Sequence, residues 1–184
     1  MPVLVGGTLL GWYRDCGIIW HTTDMDLGLD YKMWDERLTR KLLNSKYFDL
    51  STIFGEPADS LEYSVRYSGV KIDIFILYAN EHEVWHGGMI PSQRVKLKYK
   101  FPPQVENCAA LLLGELFHVP CDVTGRLIAE FGPNYTKPIQ SSNYVWHSSP
   151  FNVERVHTYT RAEMKLYFIT DKQRMLSVIK HQKQ

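Results

Sequence analysis

The stretch that most constrains this chain is Val5-Gly6-Gly7-Thr8-Leu9-Leu10-Gly11-Trp12-Tyr13-Arg14, followed shortly by Thr22-Thr23-Asp24-Met25-Asp26-Leu27. A glycine pair at the end of an apolar run predicts a strand-to-helix turn, because glycine adopts backbone angles that other residues avoid. Asp24 and Asp26 then stand two apart in an apolar segment. On a strand they share one face, while Met25 and Leu27 take the other. Two carboxylates on one face, near the first-turn amides of a helix, can hold a divalent cation and the phosphates bound to it.

The rest of the chain limits what such a site can serve. Its 184 residues are enough for one domain with a core, and 45% hydrophobic with 13% aromatic content is globular. A formal net charge of +1 gives no global field for nucleic acid or a membrane surface. The N-terminus shows no signal peptide, and the longest apolar run, Cys108 to Leu113, is too short for a transmembrane segment. Cys16, Cys108 and Cys121 contain no CxxC and do not fix a redox compartment. One glycosylation sequon is present, Asn134-Tyr135-Thr136. Val3-Leu4-Val5 reads as a buried strand with only two residues before it, so the expectation is a piece of a longer chain that lacks N-terminal elements.

Periodicity places the elements. Thr8 is the expected N-cap of a helix over Leu9–Cys16, stopped by Gly17. Asp24–Leu29 is the acidic strand, and Asp30 caps a helix over Lys32–Ser45 with Trp34, Leu38 and Leu42 on one stripe. Phe48–Phe54 is a strand. Leu61, Tyr63, Val65 and Tyr67 alternate with Glu62, Ser64, Arg66 and Ser68, a half-buried strand that pairs with Val70–Tyr78 across Gly69. Asp73 interrupts the apolar run of that second strand, where a charge is costly unless paired or metal-bound. Glu83–His86 adds a strand closed by Gly87-Gly88. Arg94, Lys96, Lys98 and Lys100 alternate with apolar residues, four cations on one strand face. Ala109–Leu116 reads as a helix or a buried loop. Helices follow over Asp122–Phe131 and Arg161–Tyr167, with a basic tail at Lys180-His181-Gln182-Lys183. The predicted fold is α/β (α+β), a mixed sheet flanked by helices, in a single domain over residues 1–184, with 136–184 as a C-terminal extension that the pattern leaves unplaced.

Each chemical signal has a plainer reading. Glycine turns often serve the backbone alone, and Asp73 could be a core acid paired with Lys71 or Arg66. The combination is more specific: a Gly-Gly turn into a helix, D-x-D on the next strand, and a lone acid inside a later apolar strand. Three carboxylates on neighbouring strands would hold Mg²⁺ or Mn²⁺ through oxygen ligands. Zinc at His82 and His86, or at Cys108, His118 and Cys121, has weaker support from spacing.

This constellation resembles the nucleotidyltransferase superfamily of the DNA polymerase β type and, within it, the LicD/fukutin family. Gly6 to Arg14, His21-Thr22-Thr23-Asp24-Met25-Asp26-Leu27-Gly28, Lys71-Ile72-Asp73-Ile74-Phe75, Val119-Pro120 and Phe131-Gly132-Pro133-Asn134-Tyr135 carry the likeness. Bacterial members have alanine in a Gly-Ala-x-Arg where this chain has Gly11-Trp12-Tyr13-Arg14, and the departures look like the animal fukutin branch. The resemblance implies transfer of a phospho-alcohol from a CDP-alcohol such as CDP-ribitol to a glycan acceptor on a glycoprotein. It also implies the Golgi or ER lumen and a complex with related glycosyltransferases. It makes Asp24 and Asp26 metal ligands and Asp73 a third ligand or the base. Gly6, Gly7 and Thr8 would hold donor phosphates, with Arg14 and Lys98 lining the donor site. For Arg14 the plainer reading is a helix-end cation, and for Lys98 a solvated strand face. The rival function is a non-catalytic glycan-binding or scaffold subunit of the same family.

Overall fold

The computed structural model of the protein describes residues 1–103 and 106–175. The chain starts in the middle of its own sheet. β1 (Val3–Leu4) runs antiparallel to β2 (Asp24–Asp30) on one side. On its other side lies β9 (Glu115–Pro120), in parallel. The cover that this first strand requires therefore comes from downstream.

Between β1 and β2 lies α1 (Gly6–Asp15). It begins at Gly6, with Val5 at the N-cap position and no side-chain cap, so Thr8 is inside the helix. Its hydroxyl instead accepts the N–H of Asp26 at 2.7 Å. The residue that ends α1 in the left-handed conformation is Cys16, not Gly17.

β5 (Val70–Ala79) is the branch point of an eleven-stranded mixed sheet. It runs parallel to β2 with Asp24 opposite Lys71 and Asp26 opposite Asp73. On its other edge β4 (Glu62–Tyr67) takes the first half, with Ser64 opposite Asp73. Its far end passes to β6 (Val84–Ile90). Beyond β4 lie β3 (Asp49–Phe54) and β11 (Phe168–Ile169); beyond β6 lie β7 (Val95–Phe101) and β10 (Val153–Thr158). β8 (Asn107–Leu112) closes the other end beside β9. Residues 153–158 and 168–169 thus join the main sheet, while the expected basic tail lies outside the described residues.

Three further expectations are corrected. The helix over 32–45 is a 3-10 turn at Tyr31–Met33 and a short α2 (Arg37–Leu43). Asp35 breaks it: its carboxylate accepts the N–H of Arg37 at 2.7 Å, starting the helix afresh after an extended Trp34. β6 continues through Gly87-Gly88, because a side chain at Gly87 would meet Ser60 at 2.4 Å and only glycine lets the two backbones approach. Ala109–Leu116 is neither helix nor loop but the β8–β9 hairpin, turned by Leu113 and Gly114, both at positive φ.

α1 and α3 (Val123–Phe131) bury Leu4, Leu9, Leu10, Val119 and Leu127 against the β1, β8 and β9 side. α2 covers Leu50, Ile53, Tyr63 and Ile76 on the other wing. Each fully buried leucine contributes roughly 2 kcal/mol. α4 (Arg161–Tyr167), with a capping box at Thr160 and Glu163, leads into β11. No helix among the described residues is long and apolar enough to cross a membrane.

Candidate active site

β2 and β5 present their acids side by side because parallel strands in register put opposed residues on the same face. One carboxylate oxygen from each of Asp24, Asp26 and Asp73 lies within 4.8 Å of the others. They line a cavity of about 580 Å³. α1 grips the middle acid. The Gly7 N–H donates to Asp26 Oδ2 at 3.1 Å, and the Asp26 N–H donates to Thr8. Gly6 sits at φ +53°, and a Cβ there would stand 2.7 Å from Asp26 Oδ2, so the motif needs glycine at this position. Asp73 accepts from the Ser64 hydroxyl at 2.6 Å and from the Lys71 ammonium at 2.5 Å. Thr22 donates to Asp24 Oδ1 at 3.1 Å.

Negative charge is crowded here. Burial, then the charges of Asp24, Asp73 and Glu130, push Asp26 up to about 8, against the pull of the Gly7 amide. Burial holds Glu62 well above the usual carboxylate range, with Asp73 adding and Lys71 opposing. Glu130 is pushed to about 7 by burial, opposed by Arg126. A cation at the acid cluster would relieve this repulsion. An all-oxygen ligand set of three carboxylates fits Mg²⁺ or Mn²⁺ rather than a softer metal.

The structure brings together most of the residues singled out in the sequence. Gly6, Gly7, Arg14, Asp24, Asp26 and Asp73 line one cavity. Arg14 reaches it while paired with Asp15 at 2.8 Å. Thr8 is buried behind the wall, and Lys98 is elsewhere, 2.5 Å from Glu83 and over the ring of Trp85. The lysine face is fully paired: Lys96 with Asp59 and Glu56, Lys100 with Glu154. Arg94 lies in a turn before the strand, not on that face. The zinc readings find no support among the described residues. Cys108 and Cys121 form a disulfide, and His86 is packed among aromatic rings.

Other cavity residues escaped the sequence reading. Alternation put Glu62 on the solvent face of β4, but both faces of its first half are buried. Lys71 was visible only as a partner for Asp73. Glu130 on α3 and the rings of Tyr135, Tyr144 and Trp146 close the cavity from segments distant in sequence, which no local pattern reveals.

Residues 2–122, from β1 through the acid cluster to the end of β9, match the family model described as LicD/FKTN/FKRP, nucleotidyltransferase domain. The chain belongs to the LicD/fukutin family. Among curated LicD/fukutin relatives, the ribitol-5-phosphate transferase FKTN of Mus musculus is 37% identical over 155 residues, covering 82% of this chain and 32% of that protein. The Homo sapiens protein of the same name is 32% identical over 152 residues. An uncharacterized Caenorhabditis elegans protein is 34% identical over 176 residues, covering 91% of this chain and 45% of its own length. The chain spans less than half the length of the curated relatives it matches. Within this LicD/fukutin member, Glu130, Tyr135, Tyr144 and Trp146 of the cavity lie beyond the residues that match the family model.

Proposed function

We propose that this chain transfers ribitol phosphate, or a closely related phospho-alcohol, from a CDP-linked donor to a hydroxyl of a glycan on a glycoprotein. The observation that carries the reading is the convergence of Asp24, Asp26 and Asp73 within 4.8 Å at the floor of a cavity walled by the Gly6-Gly7 turn. The printed activity of the FKTN relatives supports the choice of donor.

In this reading the three aspartates hold Mg²⁺ or Mn²⁺, which when bound offsets charge on the phosphoryl oxygens. Arg14 faces the donor diphosphate, and the Gly6-Gly7 turn beside it holds Asp26 in place. Thr8 acts by holding β2 at the Asp26 N–H. The acceptor hydroxyl attacks the phosphorus that carries the alcohol, the bond to the bridging oxygen breaks, and CMP leaves with that oxygen. Asp73 is already engaged by Ser64 and Lys71 and acts as a ligand. Glu62 is a cavity carboxylate with no hydrogen bond to its side chain among the described residues, and in its ionised form it takes the hydroxyl's proton. The disulfide and the exposed Asn134 of the sequon support an oxidising lumen, Golgi or ER, as the compartment.

Titration calorimetry with CDP-ribitol, with and without Mg²⁺ or Mn²⁺, tests this on the wild type, Asp24→Ala and Asp26→Ala. Metal-dependent binding that both variants lose is the expected result. Folded wild-type protein that ignores metal and donor alike would sink the reading.

A further inference from the structure

His86, a zinc candidate by spacing, is built into the wall of the cavity. It is 6% exposed, with its ring 4.5 Å from Phe75, 4.7 Å from Tyr99 and 5.7 Å from Phe101. Its Nδ1 lies 2.8 Å from the carbonyl oxygen of Gly87. A carbonyl only accepts, so Nδ1 carries the hydrogen and the neutral ring leaves Nε2 as a bare lone pair. Nε2 has no protein partner among the described residues and is not sealed off, since the fully enclosed, partnerless side-chain atoms belong to Arg126, His147, Asn152 and Tyr159. Burial lowers the pKa of the ring to about 3, so it stays neutral throughout the physiological range.

A fixed lone pair in a cavity calls for a neutral hydrogen-bond donor, and the surroundings say which kind. Phe75 stands two residues past Asp73 on β5, roughly 7 Å along the strand, and His86 lies beyond it. The wall on this side is made of flat groups, including Tyr99, Tyr144 and Trp146. Flat rings suit a flat ligand. Resting on the CDP-donor reading above, we infer that His86 selects the donor's base by accepting a hydrogen bond from its exocyclic amino group. Uracil offers a carbonyl at the same place, which would face the Nε2 lone pair.

The test compares binding of CDP, UDP and CDP-ribitol, all with Mg²⁺, to the wild type, His86→Phe and His86→Asn. The wild type is expected to prefer CDP over UDP by about 10- to 100-fold, the effect of one satisfied against one frustrated buried polar group. His86→Phe keeps a ring and loses the acceptor. It is expected to bring CDP and UDP within about twofold, while His86→Asn, which keeps an acceptor oxygen, restores part of the preference. An unchanged CDP preference in both variants would overturn the inference and leave the donor reading intact. So would a loss confined to CDP-ribitol relative to CDP, which would assign His86 to the alcohol. If no cytidine nucleotide binds the wild type, both readings fall together.

Discussion

The amide of Gly7 and the carboxylate of Asp26 are locked at 3.1 Å, so the first turn of α1 holds an acid of the cavity rather than standing open to a ligand. The neighbouring Thr8 completes the grip by accepting the Asp26 N–H. The glycine turn and the D-x-D strand are therefore one unit, and neither keeps its geometry without the other.

Thr8→Val tests that unit. The exchange keeps the shape but removes the acceptor for a part-buried N–H, and leaving such a group unpaired costs about 1–3 kcal/mol. Chemical denaturation should show a loss in that range, and Thr8→Ser, which retains a hydroxyl, should recover most of it. Equal stabilities for the valine variant and the wild type would mean that the hydroxyl does not hold β2.

Asp26→Asn separates stability from function. The amide oxygen can still accept from Gly7, but the side chain no longer has to take up a proton on folding to sit among Asp24, Asp73 and Glu130. In metal-free buffer at pH 7 the variant should be more stable, on the order of 2 kcal/mol after allowing for the side chain's partial exposure. Metal-dependent donor binding should fall at least about tenfold, as expected when one of few carboxylate ligands is lost. Thermal melts and calorimetry on one sample read both effects.

What the sequence made legible here follows from its local periodicity. The strand-turn-helix start, the shared face of Asp24 and Asp26, and the β4–β5 hairpin at Ser68-Gly69 all depend on neighbours in the chain. The assembly of Asp73 with that pair depends on β2 and β5 lying parallel and in register, which the lone charge in an apolar run signalled without specifying. The β8–β9 hairpin was missed because Leu113, a poor left-handed residue, occupies its turn. Glu62 and Glu130 were invisible as site residues, and His86 was visible only as a zinc candidate, because each owes its place to burial by other segments: β5 for Glu62, aromatic rings for His86, α3 packing for Glu130.

The Cys108–Cys121 bridge ties the start of β8 to the end of β9, closing a short loop with a sequence separation of 13. Closing a loop of that size stabilises by about 3 kcal/mol in the chain-entropy account. Replacing both cysteines with serine should lower the denaturation midpoint accordingly. Donor binding should change little, because the bridge ties only the β8–β9 hairpin, which β1 separates from the acid strand β2. A variant that retains full stability would show that the hairpin holds without its bridge.

Glu130 sets a pH dependence that can be isolated. It faces Arg126 on its own helix and, across the cavity, Asp26 and the phenols of Tyr99 and Tyr144. Its folded pKa, about 7, lies above the ordinary 4.5 because burial disfavours the carboxylate. A raised pKa means that the folded state binds the proton more tightly, so the stabilising protonation is fully present below about 4.5 and is lost as the pH rises through 7. Glu130→Gln stays neutral at every pH. Relative to the wild type it should change little at pH 4.5 and be more stable at pH 8, by about 3 kcal/mol at most. Urea denaturation of both proteins across that range gives the difference directly. A difference that does not grow with pH would mean that Arg126 compensates the carboxylate fully.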